Sequence, residues 1–172
     1  MITGAPAWYD GPMLIEQRLA DLGLVLPEPM RLPPGVALPF PWVRVHSDRA
    51  YVSGHGPLEA DGSLAQPLGK VGADVTEEQA YRAAGKTALA VLASLRREIG
   101  DLDRITAWLR VFGMVGTAPG FTRTPAVVNG FSDLILRLWG DPAGRHARSA
   151  VGQAALPFDI PVEIEAEVAI RA

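Results

Sequence analysis

The sequence predicts an α+β domain: a sheet with two long helices packed on one face and a shorter helix ahead of it. Three observations carry that expectation. Residues 76–100 follow helix grammar throughout, with Thr76 and Gln79 at capping-box spacing, acidic residues in the first turn, Arg96 and Arg97 near the end and Gly100 as the stop. Residues 125–140 repeat apolar side chains at Val128, Phe131, Ile135 and Leu138 before Gly140, a second helical period. In the last stretch Val162, Ile164, Ala166, Val168 and Ile170 alternate with Glu163, Glu165 and Glu167, which makes a strand with one apolar and one acidic face.

Taken in order, the elements fill in around these three. Leu14, Ile15, Leu19 and Leu22 share one helical face, and Gly23 ends it. Prolines at 27, 29, 33, 34, 39 and 41 then hold the chain out of α geometry, so residues 26–41 read as an irregular connector draped over the domain. Two short alternating runs, residues 42–45 and 50–53, flank Ser47-Asp48-Arg49 as a β-hairpin. A polar loop leads to a third short strand near Lys70–Val71. The helix at 76–100 buries Ala80, Ala84, Ala88, Val91 and Leu95, and its small residues allow close approach to a sheet. "RITAWLRVFGMVG" has the β-branched and aromatic content of a strand. Two final strands are joined at "LPFDIP", for about six strands in all.

The chain has 172 residues, in the range of a single domain: residues 1–32 read as helical extension and connector, and 33–172 as the core. A formal net charge of −3 disfavours a nucleic-acid partner. Without cysteine there is no disulfide, thiolate catalysis or cysteine–zinc site. The N-terminal "MITGAPAWYDGPM" has neither a basic nor a long apolar region, and no apolar run approaches the roughly 18 residues of a membrane span, so a cytoplasmic protein without a membrane partner is expected. His46, His55 and His146 are irregularly spaced and lack an acidic cluster, so no metal is expected. "SGHGP" is not followed at once by a helix and gives no nucleotide signature, so no cofactor is expected either.

The segments "YVSGHGP", "TAPGFTRTPAVVNGFSDL" and "GRHARSAVGQAALPFDIPVEIEA" resemble the Rid family of reactive intermediate deaminases, also labelled YjgF or L-PSP endoribonuclease-like. The likeness runs from about Pro33 to the end and is nearest to the longer branch with an N-terminal helix. It implies a chorismate-mutase-like, YjgF-type mixed sheet, a homotrimer, and ligand clefts between subunits. By resemblance, Arg148 is the site arginine and Glu163 the site carboxylate, with Ser53, Gly54, Asn129 and Ala150 lining the cleft. Phe40 stands where deaminases commonly have a tyrosine, and Ala150 where many have a cysteine.

The implied activity is hydrolysis of small 2-imino acids to 2-keto acids and ammonia, of the 2-iminobutanoate/2-iminopropanoate deaminase type. Those residue types suit it. A planar guanidinium holds a carboxylate with two parallel hydrogen bonds, and a glutamate at a cleft can position water. Three bland alternatives stand beside this: glutamates alternating on a terminal strand usually face solvent, an arginine on a strand often makes a surface ion pair, and "SGHGP" can simply be turn chemistry. Arg145 and His146 are expected in the turn before the strand. Asn129, in mid-helix before Gly130, hints at packing or binding. Two other functions remain open, a trimer that binds a small anionic metabolite without converting it, and an endoribonuclease using His55 and His146.

Overall fold

Alternation in the last strand organises the whole sheet. In the computed structural model, which describes residues 14–32 and 35–171, the apolar face of β5 (Val162–Ile170) is buried from end to end. Before it come β1 (Val43–His46), β2 (Arg49–His55), β3 (Ile105–Gly116) and β4 (Ala147–Gln153). The order across the sheet is β1-β2-β5-β3-β4, with β5 antiparallel to both neighbours and β3–β4 parallel. Thus the final segment of the chain occupies the centre.

Three helices complete the fold: α1 (Leu14–Asp21), α2 (Glu77–Ile99) and α3 (Thr124–Trp139). The long helices α2 and α3 pack against each other on one face, α2 over β2 and β5 and α3 over β3 and β4. Thr76 and Gln79 form the expected capping box, and Gly100 closes α2 with its N–H on the Arg96 carbonyl. All five residues assigned to the buried stripe of α2 are buried, as are Val128, Phe131, Ile135 and Leu138 of α3. Close approach is built into these contacts. A methyl group on Gly113 of β3 would lie 2.5 Å from Val128 of α3, and one on Gly130 would lie 1.9 Å from the Tyr81 carbonyl of α2.

The N-terminal helix buries Ile15 and Leu19, and Asp103 accepts hydrogen bonds from the backbone N–H groups of Leu14 and Ile15, capping it from the far side of the sequence. Gly23 ends it at φ +66°.

The hairpin is present, with Ser47 and Asp48 as its two-residue loop. The expected strand near Lys70–Val71 is not. There the chain curls instead: Val71 bridges to Val75 and Thr117, Asp74 accepts from the Lys70 N–H, and Gly69 and Gly72 take positive φ. A curl this tight cannot extend into a ladder, so the sheet has five strands rather than six. Pro33, where the core was expected to begin, Pro34 and the first 13 residues lie outside the described residues.

The two glycines at the α2–α3 crossing make opposite predictions. Gly130→Ala forces the helices apart and lowers stability by about 1–3 kcal/mol or more. A methyl on Gly85 meets nothing closer than 3.6 Å, so Gly85→Ala raises stability by about 0.5–1 kcal/mol through helix propensity. Urea midpoints of the two variants, moving in opposite directions, check both.

Candidate functional site

Arg148 lies on the edge strand β4 opposite Val111 of β3, a residue buried under the helices, so its side chain also turns to the helix side. One guanidinium nitrogen donates to Asn129 Oδ1 and to Ser132 Oγ, each at 2.9 Å. The other terminal nitrogen reaches the Pro125 carbonyl at 3.4 Å. Asn129 and Ser132 are neighbours on one face of α3 because they are three residues apart. Ser132 Oγ also lies 2.9 Å from His146 Nε2, whose Nδ1 lies 2.8 Å from the Gly144 carbonyl. A carbonyl only accepts, so the proton is assigned to Nδ1, and Nε2 accepts from the serine hydroxyl. Burial, followed by the charge of Arg148, holds the His146 pKa below the ordinary imidazole value. The arginine is therefore fixed along one edge. Its Nε and the second hydrogen of the outer nitrogen have no acceptor among the described residues, and that edge can take a carboxylate side-on.

Beside it is a hollow of about 200 Å³ lined by Ser132, Leu136, Gly144, Arg145, His146 and Arg148. Arg145 is paired with Asp141 at 3.2 Å. The Ala150 carbonyl accepts from Thr124 Oγ1 at 3.0 Å and keeps one lone pair.

Glu163 belongs to a different place. It lies near the start of β5 beside Gly54 of β2, where an added Cβ would fall 2.0 Å from Glu163 Oε1, so any larger residue would displace the carboxylate from that backbone. Burial, and then the nearby Glu165 charge, raises the Glu163 pKa, with no hydrogen bond to offset them. Gly54 and Glu163 line a cavity of about 250 Å³ with Phe40, Trp42 and His55. Phe40 stands edge-on to Trp42, and Trp42 lies 4.8 Å from the His55 ring.

His55 repeats the arrangement at His146. Its Nδ1 donates to the carbonyl two residues back, Ser53 at 2.7 Å, its Nε2 accepts from Ser94 Oγ at 2.8 Å, and Arg97 donates to that same oxygen at 3.0 Å. This ring is almost wholly buried, and burial lowers its pKa to about 4. The relay fixes the backbone that carries Gly54. Ser53 turns the other way, donating to the Pro41 carbonyl at 2.9 Å and lining a groove on the open sheet face with Arg44, Tyr51, Arg110 and Phe112.

The expected site residues thus form two groups. Arg148, Asn129 and Ala150 sit at the β4 edge, while Glu163, Gly54 and Phe40 sit where β2 ends and β5 begins. Val111 pairs with both Arg148 and Ala166, whereas Glu163 pairs with Met114, so Arg148 and Glu163 are on opposite faces with β3 between them. Sequence reading missed Ser132, Ser94, Arg97 and Trp42; His146 follows the turn at 141–144 and precedes β4, as expected, and with Arg145 it rims the hollow. Only Ser132 left a signal, its three-residue spacing from Asn129.

Comparison with known proteins fits this architecture. Residues 16–164 match the family model described as "YjgF/chorismate mutase-like, putative endoribonuclease". The chain belongs to the YjgF family. This YjgF-type chain is 40% identical over 121 residues to Protein TCP17 of Trypanosoma cruzi, covering 70% of the chain and 74% of that protein. It is similar to the solved structure of Atu1372 from Agrobacterium tumefaciens, a protein of unknown function, at 38% identity and TM-score 0.81, over 92% of this chain and 93% of that one. A second solved relative, from Shewanella oneidensis and called a "putative endoribonuclease", shares 28% identity at TM-score 0.80 over 91% and 99% of the two chains. No helix among the described residues of this YjgF-family chain is long and apolar enough to cross a membrane.

The buried His55 makes a pH prediction. Between the ordinary value of 6.5 and about 4 the unfolded chain takes up a proton at this ring while the folded chain refuses it, so stability falls as pH drops through that window and levels off below it. The loss from this group is about 3 kcal/mol. Urea unfolding at several pH values measures it, and NMR of the His55 ring should give a midpoint near 4; a midpoint near 6.5 refutes the assignment.

Proposed function

We propose that this chain is a Rid-type imine deaminase that assembles as a homotrimer in the cytoplasm and hydrolyses 2-imino acids in clefts between its copies. The observation that carries this reading is the half-used guanidinium of Arg148, locked by Asn129 and Ser132 through one nitrogen, with its Nε edge unengaged among the described residues and a hollow lined by the same side chain. Glu163, the group suited to handle water, is on the opposite sheet face of the same chain, so a complete site needs the Arg148 edge of one copy against the Glu163 cavity of another. The exposed apolar side chains of Phe40 and Phe158 at that cavity support such covering.

In the proposed step the Arg148 edge binds the substrate carboxylate, and Glu163 orients a water molecule and accepts its proton as the oxygen attacks the imine carbon. That proton then passes to nitrogen, the hydroxyl of the resulting carbinolamine gives up its own proton to the departing amine as the C–N bond breaks, and R–C(=NH)–COO⁻ plus H₂O gives R–C(=O)–COO⁻ plus NH₃. A carboxylate with a raised pKa is a better base for this than an exposed one. No cofactor or metal is called for.

Phe40 supplies no hydroxyl, and that favours a second reading, a trimer that binds small anionic metabolites without converting them. For RNA cleavage, both ring nitrogens of His55 and of His146 are already engaged within the chain, and the net charge of −3 opposes RNA.

Imino acids generated by an amino-acid oxidase and trapped with semicarbazide provide the assay. Arg148→Ala should lower kcat/KM by about 10²-fold or more, and Arg148→Lys should fail to restore it, because an ammonium cannot serve Asn129, Ser132 and a carboxylate together. Glu163→Gln should lower kcat more than it raises KM. Sedimentation should give three copies per particle. Full activity in Arg148→Ala, or a monomer, refutes the proposal; saturable binding of keto acid with no turnover selects the second reading.

A further inference from the structure

The cavity beside Glu163 is far more apolar than a site for a two- or three-carbon substrate requires. Beyond Gly54 and Glu163 it is walled by Met30 and Leu38 of the connector, Leu58, Leu64, Phe158 and Ile160. The polar groups facing it from α2 are already engaged: Ser94 is held between His55 and Arg97, and Arg97 also donates to the Pro27 carbonyl. Its volume is about 250 Å³, and a cavity of about 150 Å³ already admits a benzene ring.

Phe158 adds an independent observation. Its backbone lies in the left-handed region, φ 56° and ψ 21°, followed by Asp159 at φ 56°. A bulky aromatic residue is a genuine outlier there, and such strain collects at ligand sites. What it achieves is to hold an aromatic ring, 55% exposed, at the cavity rim, where Phe40 and Val36 are also exposed.

We infer that the substrate is a 2-imino acid with a large apolar side chain, branched aliphatic or aromatic, which fills this cavity while its reacting carbon lies at Glu163. The inference rests on the imine-hydrolase reading for its chemistry, but the cavity's choice of side chain can be tested separately. With the α-carboxylate held by Arg148 of another copy, the side chain enters between the connector and the Pro157–Asp159 turn. The connector, which has no part in the proposed chemistry, thereby sets specificity.

The experiment compares imines made from phenylalanine, leucine and alanine, and the binding of phenylpyruvate and pyruvate by calorimetry, in the wild-type protein and in Phe158→Gly and Leu38→Asp. Glycine relieves the backbone at 158 and removes only the ring, so folding is preserved. The expected result is a kcat/KM at least about tenfold higher for the phenylalanine and leucine imines than for alanine, since each buried methylene is worth about 10-fold or more. That preference should shrink severalfold in both variants. Equal or better use of alanine imine, with Phe158→Gly unaltered, overturns the inference and leaves the hydrolase reading standing. A Phe158→Gly protein that changes only its oligomeric state overturns it too, because the rim is then subunit interface alone. If no imine is accelerated, the hydrolase reading fails and binding decides: phenylpyruvate bound over pyruvate, and lost in the variants, upholds the cavity's specificity, and no such difference overturns it.

Discussion

The structure depends on burying one face of β5 between β2 and β3. That strand comes last in the chain and lies in the middle of the sheet, so every residue on its apolar face meets the helices and every glutamate meets the open side. A one-residue slip would exchange the faces and bury three carboxylates, a cost that pins the register. The same alternation sets Glu163 against Gly54 and, through Met114 and Val111 of β3, puts it on the face opposite Arg148.

Both halves of the candidate site are built with one local device. A neutral histidine donates from Nδ1 to the carbonyl two residues earlier, accepts at Nε2 from a helix serine, and that serine accepts from an arginine. At His146 the device steadies the guanidinium itself; at His55 it steadies the backbone next to the carboxylate. Burial keeps both rings below their ordinary pKa, and each ring then offers one donor and one acceptor. They work as rigid connectors, which accounts for one buried and one half-buried imidazole beside a chemistry proposed for an arginine and a glutamate.

Much of this could be read from local pattern. The capping box at Thr76, the buried stripes of α2 and α3 and the two faces of β5 follow from side-chain period and end chemistry, which belong to neighbouring residues. Arg148, Asn129, Ala150, Glu163, Gly54 and Phe40 were reachable through family resemblance, and the structure gathers them into two groups rather than one. Ser94 and Arg97 had no local signal, because a serine or arginine on a helix looks the same whether or not a distant histidine meets it. The strand expected at Val71 failed because glycine φ values and an aspartate cap bend the chain into a turn there.

By itself, then, the sequence determined the three helices and the five strands of the sheet, which faces are apolar, and where each long helix begins and ends. Only tertiary structure decided that the last strand sits at the centre, that Arg148 leans toward α3, that Ser53 and Gly54 line different hollows, and that the two halves of the site cannot meet within one chain. The reason is range: period and capping are set within a turn or two of backbone, whereas register, sheet order and the partners of a buried polar group are settled by contacts between residues far apart along the chain.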